Sequence, residues 1–147
     1  MSPFFLDLSQ RRGDQEAAVA RRLVDWAHTH GLRIWWGQGK KDGSFFPSYI
    51  NKLGQHFLFS VWTYGSVELQ FQHMKIPPFA EEAKRRELAH RLSAIGVSIP
   101  EEALRKRPTL GLRSLLEPDH FDEFLRAFDW MLSEIKKVEH EPEADQF

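Results

Sequence analysis

The middle of the sequence has the periodicity of β-strands and is interrupted by three tight turns. Short apolar and aromatic segments lie at residues 32–36, 44–50, 56–64 and 67–75. The turns between them contain Gly43, Gly54 and Gly65, and glycine adopts the positive φ angles of hairpin turns at little cost. Connections this short join antiparallel strands. The sequence therefore predicts a four-stranded antiparallel β-meander.

Segments with helical periodicity lie on both sides of this meander. Val19, Leu23 and Ala27 recur every four residues, which predicts an amphipathic helix over 14–30 that ends at Gly31. Beyond the strands, the pattern predicts a helix over 79–95, a short helix near 101–104 and a last helix that begins at Pro118. The fold class is therefore α+β, with the meander flanked by an N-terminal helix and two to three C-terminal helices.

The length and composition fit a single domain over residues 1–147, with 41% hydrophobic and 28% charged residues. Residues 1–13 are interpreted as a lead-in arm or short strand, and the acidic residues 139–147 as a frayed tail. The chain contains no cysteine, which excludes disulfides and thiolate metal sites. With neither a signal peptide nor a long apolar run, we expect a cytoplasmic protein that does not associate with membranes.

The charge balance is not that of a strongly basic nucleic-acid binder. The formal net charge is −1, although the chain without its acidic tail is slightly basic. Spacing among the seven histidines does not suggest a metal site, and no sequence feature calls for a cofactor. We therefore expect neither a metal nor a cofactor, and any anion-binding surface should be local.

Alternation along the predicted strands separates two faces of the sheet. One face is expected to be pure core: Ile34, Trp36, Phe57, Phe59, Val61, Leu69 and Phe71. The other, here called the mixed face, combines aromatic and polar side chains: Arg33, Trp35, Ser60, Trp62, Tyr64, Glu68, Gln70 and Gln72. The register of the second strand stays open, so it adds either Phe45 and Tyr49 or Phe46, Ser48 and Ile50 to the mixed face.

Two interpretations of the mixed face are open. Its rings and amides suit a binding surface, since rings stack on a ligand and polar groups orient it. Alternatively, helices cover both faces of the sheet, and Trp35 and Trp62 belong to the core. The neighbouring loop over 37–44, with Lys40 and Lys41, is either a mobile anion-contacting loop or a simple hairpin tip; its glycine-to-lysine spacing does not match a P-loop.

A nuclease interpretation depends on Glu68 alone. Restriction-type nucleases have a similar element order and place acidic residues and a lysine on adjacent strands to hold a metal ion. Here Gln70 stands where that pattern needs lysine, so an inactive relative is favoured over an active one.

Trp130 lies off the apolar stripe of the last helix, which indicates either a self-association surface or a ring that closes over the sheet edge.

Three stretches resemble an uncharacterised prokaryotic domain that occurs alone or appended to larger proteins. They lie at 31–37, 43–45 and 59–68, and the resemblance extends over roughly residues 15–138. No activity is attached to that domain, so the resemblance implies no site residues and gives support only to a modular binding role.

These observations lead to the prediction of a non-catalytic binding module whose partner is a nucleic acid or a protein. Trp35, Trp62 and Tyr64 are expected to stack on the ligand. Arg33, Glu68 and Gln70 are expected to orient it, with Lys40 and Lys41 on the adjacent loop. The alternatives are metal-dependent phosphodiester hydrolysis using Glu68 and a self-associating subunit, such as a homodimer that forms through Trp130.

Overall fold

The computed structural model describes residues 3–39 and 41–139, whose strands form one antiparallel sheet. The strands are β1 (Arg33–Gln38), β2 (Gly43–Asn51), β3 (Gly54–Phe57), β4 (Phe59–Trp62), β5 (Ser66–Leu69) and β6 (Thr109–Gly111). Their order in space is β1-β2-β4-β5-β6, and β3 also pairs with β2. The α+β class and the antiparallel sheet are confirmed, and β1 forms one edge of the sheet.

The described sheet has six strands, so the prediction of a four-stranded meander was wrong. The third predicted strand is divided at Leu58 into β3 and β4, while the fourth ends at Leu69 and continues as a 3-10 turn over Phe71–His73. A sixth strand lies between the short helix predicted near 101–104 and the last predicted helix, where no strand was expected, and its Leu110 pairs with Val67. Three residues are too few to show strand alternation, so the sequence pattern could not reveal β6.

The interruption at Leu58 shifts the side-chain alternation by one residue, as a β-bulge does. Phe57 is paired with Ser48 of β2, whereas Phe59 is paired with Leu69 of β5. The Leu58 carbonyl accepts a hydrogen bond from the Gln70 N–H, and the Leu58 side chain is fully buried. Phe57 and Phe59, which strict alternation places on one face, therefore lie on opposite faces.

The helices are α1 (Pro3–Arg12), α2 (Asp14–Thr29), α3 (Glu82–Leu92) and α4 (Pro118–Glu139). Residues 3–12 therefore form a helix and not a lead-in arm or strand. Phe4, Phe5 and Leu8 are buried, and their spacing places them on one face of that helix. Glu139 is the last residue of α4, and the rest of the predicted acidic tail lies outside the described residues.

The hydrophobic core lies between the sheet and three of these helices. Phe59 is fully buried, with its ring centroid 5.2 Å from that of Phe124 and 5.0 Å from that of Phe128 in α4. Trp26 of α2 lies 6.3 Å from the same ring, and Phe4 of α1 lies 5.2 Å from Phe45. Helices α1, α2 and α4 thus contact the same side of the sheet.

No helix in the described part of the chain combines the length and the apolar character that crossing a membrane requires.

Candidate functional site

Strand register decides which side chains share the mixed face. Residues directly opposite each other in an antiparallel pair lie on the same side of the sheet. Ser60 is opposite Glu68, Trp62 is opposite Ser44, and Trp35 is opposite Phe46. The open register of the second strand is therefore resolved, because Ser44 and Phe46 lie on the mixed face.

Two of the residues expected in the core have other surroundings. Phe57 lies on the mixed face, half-buried, with its ring 6.1 Å from that of Phe46 and 5.5 Å from that of His73. The expectation failed because the bulge at Leu58 reverses the alternation. Trp36 contacts the rings of Phe4, Phe5 and Phe45 on the helical side, yet it is 45% exposed because β1 is an edge strand.

The mixed face contains a concave site of about 250 Å³, here called the aromatic cleft. Its lining combines rings with charged and polar groups: Ser44, Phe46, Phe57, Ser60, Trp62, Glu68, Gln70, His73 and Arg107. Ser44, Ser60 and Gln70 are buried, whereas the rings of Phe46, Phe57 and Trp62 are only partly buried. The cleft therefore has buried polar groups together with partly exposed aromatic surface.

A hydrogen-bond network fixes the polar side chains of the cleft. The Trp62 indole N–H donates to Glu68 Oε1 at 2.8 Å, and the Ser60 hydroxyl donates to the same oxygen at 3.1 Å. Gln70 Nε2 in turn donates to Ser60 Oγ at 2.9 Å. The second carboxylate oxygen, Glu68 Oε2, accepts no hydrogen bond from a described residue. The network thus orients Glu68 and leaves one of its oxygens available to a ligand.

Tyr64 and Arg107 extend the site beyond Trp62. The Tyr64 ring is stacked on that of Trp62, with centroids 5.7 Å apart and planes 18° from parallel, and it is 44% exposed. Partial burial raises the pKa of Tyr64, the negative charges of Glu68 and Asp42 raise it further, and the positive charge of Arg107 opposes them. Arg107 is exposed, and its guanidinium forms no hydrogen bond or ion pair within the described chain.

Arg33 and Trp35 lie beside the cleft but do not line it. The Arg33 guanidinium carbon is 4.4 Å from the centroid of the Trp35 ring, a cation–π contact. The Trp35 ring is nearly parallel to that of Phe46 at 6.3 Å, and its indole N–H donates to Ser48 Oγ. Trp35 therefore continues the aromatic surface of the cleft beyond Phe46, and Arg33 lies over Trp35.

Lys41 belongs to a different part of the surface. It lines a second cavity of about 270 Å³ with Trp36 and Asp42, on the loop between β1 and β2. Arg11 of α1 holds this loop, because it donates to Asp42 Oδ1 at 2.7 Å and to the Lys41 carbonyl. Lys40, the other predicted lysine, lies outside the described residues.

Trp130 packs within the chain. Its ring meets that of Phe79 edge-on at 5.6 Å, and the Arg91 guanidinium carbon is 4.4 Å from its centroid. The ring is partly buried against the core. Self-association through Trp130 stays a prediction.

Comparisons with known proteins give no relative. The chain has no significant match to a protein-family model, to a curated protein or to a solved structure. The resemblance to an uncharacterised domain therefore contributes nothing to the site. Over residues 3–39 and 41–139, no group of three or more histidine, aspartate or glutamate side chains is placed to hold a metal ion.

The structure brings together Trp62, Tyr64, Glu68 and Gln70 on one face as predicted, and it adds residues that sequence reasoning did not assign to the site. Phe46 was left open, Phe57 was expected in the core, and neither His73 nor Arg107 was assigned to the mixed face. His73 was missed because the fourth strand was expected to continue to residue 75. Arg107 reaches the cleft only because β6 pairs with β5, which no local pattern indicated.

Proposed function

We propose that this protein is a non-catalytic module that binds single-stranded nucleic acid on its mixed face. The observation that carries the proposal is the aromatic cleft, where the partly exposed rings of Phe46, Phe57 and Trp62 surround the ordered carboxylate of Glu68. Flat rings on an open sheet face suit unpaired bases, which stack on aromatic side chains. A base inside a duplex presents only its edges, so a single strand is the expected ligand.

Positive charges beside the rings support the same proposal. Arg33 covers Trp35, while Arg107 lines the cleft without a partner among the described residues. Arg33 is our candidate for contact with the phosphates of a strand whose bases lie on the rings, and Arg107 is our candidate for contact with a base inside the cleft. Few phosphate contacts are expected, because the chain has a net charge of −1. Affinity should therefore come mainly from stacking.

The first test is fluorescence anisotropy of labelled oligothymidylate, single-stranded and in a duplex, titrated with the protein at low salt. Loss of one base–ring stack costs about 1–3 kcal/mol, so Trp62→Ala should weaken single-strand binding by about 5- to 150-fold. Trp36→Ala is the matched control, since Trp36 is also a partly exposed indole but lies on the helical side of the sheet. It should bind like the unaltered protein.

Salt dependence provides a second readout. Each phosphate contact contributes roughly −0.7 to the slope of log affinity against log salt for a single strand, so one contact from Arg33 predicts a slope of about −0.7. No binding of any oligonucleotide at low salt, or equal binding by Trp62→Ala and the unaltered protein, contradicts the proposal. A protein partner would then be the better candidate for the mixed face.

A further inference from the structure

The aromatic cleft contains two opposite charges that do not neutralise each other. Glu68 and Arg107 both line it, yet they form no ion pair, and the Arg107 guanidinium has no hydrogen-bonding partner among the described residues. Glu68 is held by Trp62 and Ser60 through one oxygen only. A carboxylate repels phosphates, so its place beside a nucleic-acid strand requires a different role, namely contact with a base edge.

The two charged groups of the cleft are chemically complementary to two edges of guanine. A carboxylate oxygen accepts hydrogen bonds, and guanine presents two adjacent donors, N1–H and the 2-amino group. A guanidinium donates, and guanine presents two adjacent acceptors, O6 and N7, which form the most frequent specific contact of arginine with a base. Thymine offers only one N–H donor on its pairing edge. The cleft, at about 250 Å³, is also smaller than the sites of drug-sized ligands, which enclose about 300–1,000 Å³.

We infer that the aromatic cleft selects guanine, with Glu68 accepting from the donors of its pairing edge, Arg107 donating to O6 and N7, and the ring of the base held against Trp62. This inference rests on the proposed function, because it assigns a base preference to the same face. Gln70 positions the network through Ser60, since its side-chain amide donates to the hydroxyl that contacts Glu68.

The experiment compares oligothymidylate with the same strand carrying one central guanine, a design that avoids guanine quadruplexes. The unaltered protein should bind the guanine-containing strand on the order of tenfold more tightly. Inosine lacks the 2-amino group and should lose part of this preference, and 7-deazaguanine lacks the N7 acceptor. These base analogues test the inference on the unaltered protein, independently of the stability of any variant.

Matched variants connect each analogue to one side chain. Glu68→Gln keeps a carbonyl oxygen for Trp62 and Ser60 but replaces the free oxygen with an amide NH₂. Its affinities for the guanine and inosine strands should become equal, whatever its affinity for oligothymidylate, and a general loss of binding would not by itself produce that equality. Arg107→Met should no longer distinguish guanine from 7-deazaguanine.

The outcomes separate the two proposals. Binding of all strands with equal affinity, or a guanine preference that persists unchanged in Glu68→Gln, overturns the guanine inference but leaves single-strand binding intact. Failure of the unaltered protein to bind any strand overturns the proposed function and the inference with it. A guanine preference that disappears in Glu68→Gln, while the unaltered protein binds the guanine strand more tightly than oligothymidylate, supports both.

Discussion

Replacing Phe59 and Phe57 separately with alanine tests the bulge that forms the aromatic cleft. The Phe59 ring is fully buried against Phe124 and Phe128, so Phe59→Ala removes a packed core ring and leaves a cavity. Such changes cost about 3–5 kcal/mol of unfolding free energy. Phe57 is only partly buried, so Phe57→Ala removes less buried apolar area and should lower the free energy of unfolding by about 1 kcal/mol.

Urea unfolding followed by far-ultraviolet circular dichroism measures both free energies on the same scale. The two variants should have similar slopes and clearly different midpoints. Phe57→Ala should also weaken binding of oligothymidylate, because it removes a ring from the cleft. Equal destabilisation by the two substitutions would refute the shift in alternation at Leu58, since strict alternation places both rings in the core.

Two further predictions concern stability. Gly65 has φ 88°, and a Cβ added there would lie 2.7 Å from Arg12 Nε and 2.8 Å from Glu16 Oε1. Gly65→Ala should therefore lower the free energy of unfolding by about 2 kcal/mol. Gly31 has φ 70° and no atom within 4 Å of an added Cβ, so Gly31→Ala should lower the free energy of unfolding by only about 1 kcal/mol. Equal losses of stability in the two variants, measured by thermal unfolding, would exclude the crowding at Gly65. Burial lowers the pKa of His56, and the charge of Glu139 acts in the opposite direction. Below about pH 6.5 the unfolded chain therefore binds a proton at His56 that the folded chain does not. Unfolding free energy should therefore fall as pH decreases from 7 to 5, and a His56→Gln variant with the same slope would disprove this origin.

The part of the fold that the sequence predicted depends on local patterns. Val19, Leu23 and Ala27 indicated α2, and Gly43 and Gly65 indicated turns that join antiparallel strands. Each of these signals lies within a few residues of the element that it predicts. The same holds for Trp62, Glu68 and Gln70, whose alternation correctly placed them on one face.

The parts of the site that the sequence did not predict depend on contacts between residues distant in sequence or on a single irregular residue. Arg107 enters the cleft through pairing of a three-residue strand with β5, and nothing near residue 107 indicates that pairing. Phe57 was misplaced because one residue outside the ladder, Leu58, shifts the side-chain alternation of β3 relative to that of β4. The apolar pattern around Leu58 is continuous, so the alternation alone gave no sign of the bulge.

The most direct test of nucleic-acid binding on the mixed face is a titration of the five indole N–H resonances with single-stranded oligonucleotide, followed by NMR. Trp62 and Trp35 lie on the mixed face, whereas Trp26, Trp36 and Trp130 contact helices or lie on the helical side. We expect the Trp62 resonance to shift most, that of Trp35 less, and the other three little. Shifts confined to Trp36 or Trp130, or no shift at saturating oligonucleotide, would contradict nucleic-acid binding on the mixed face.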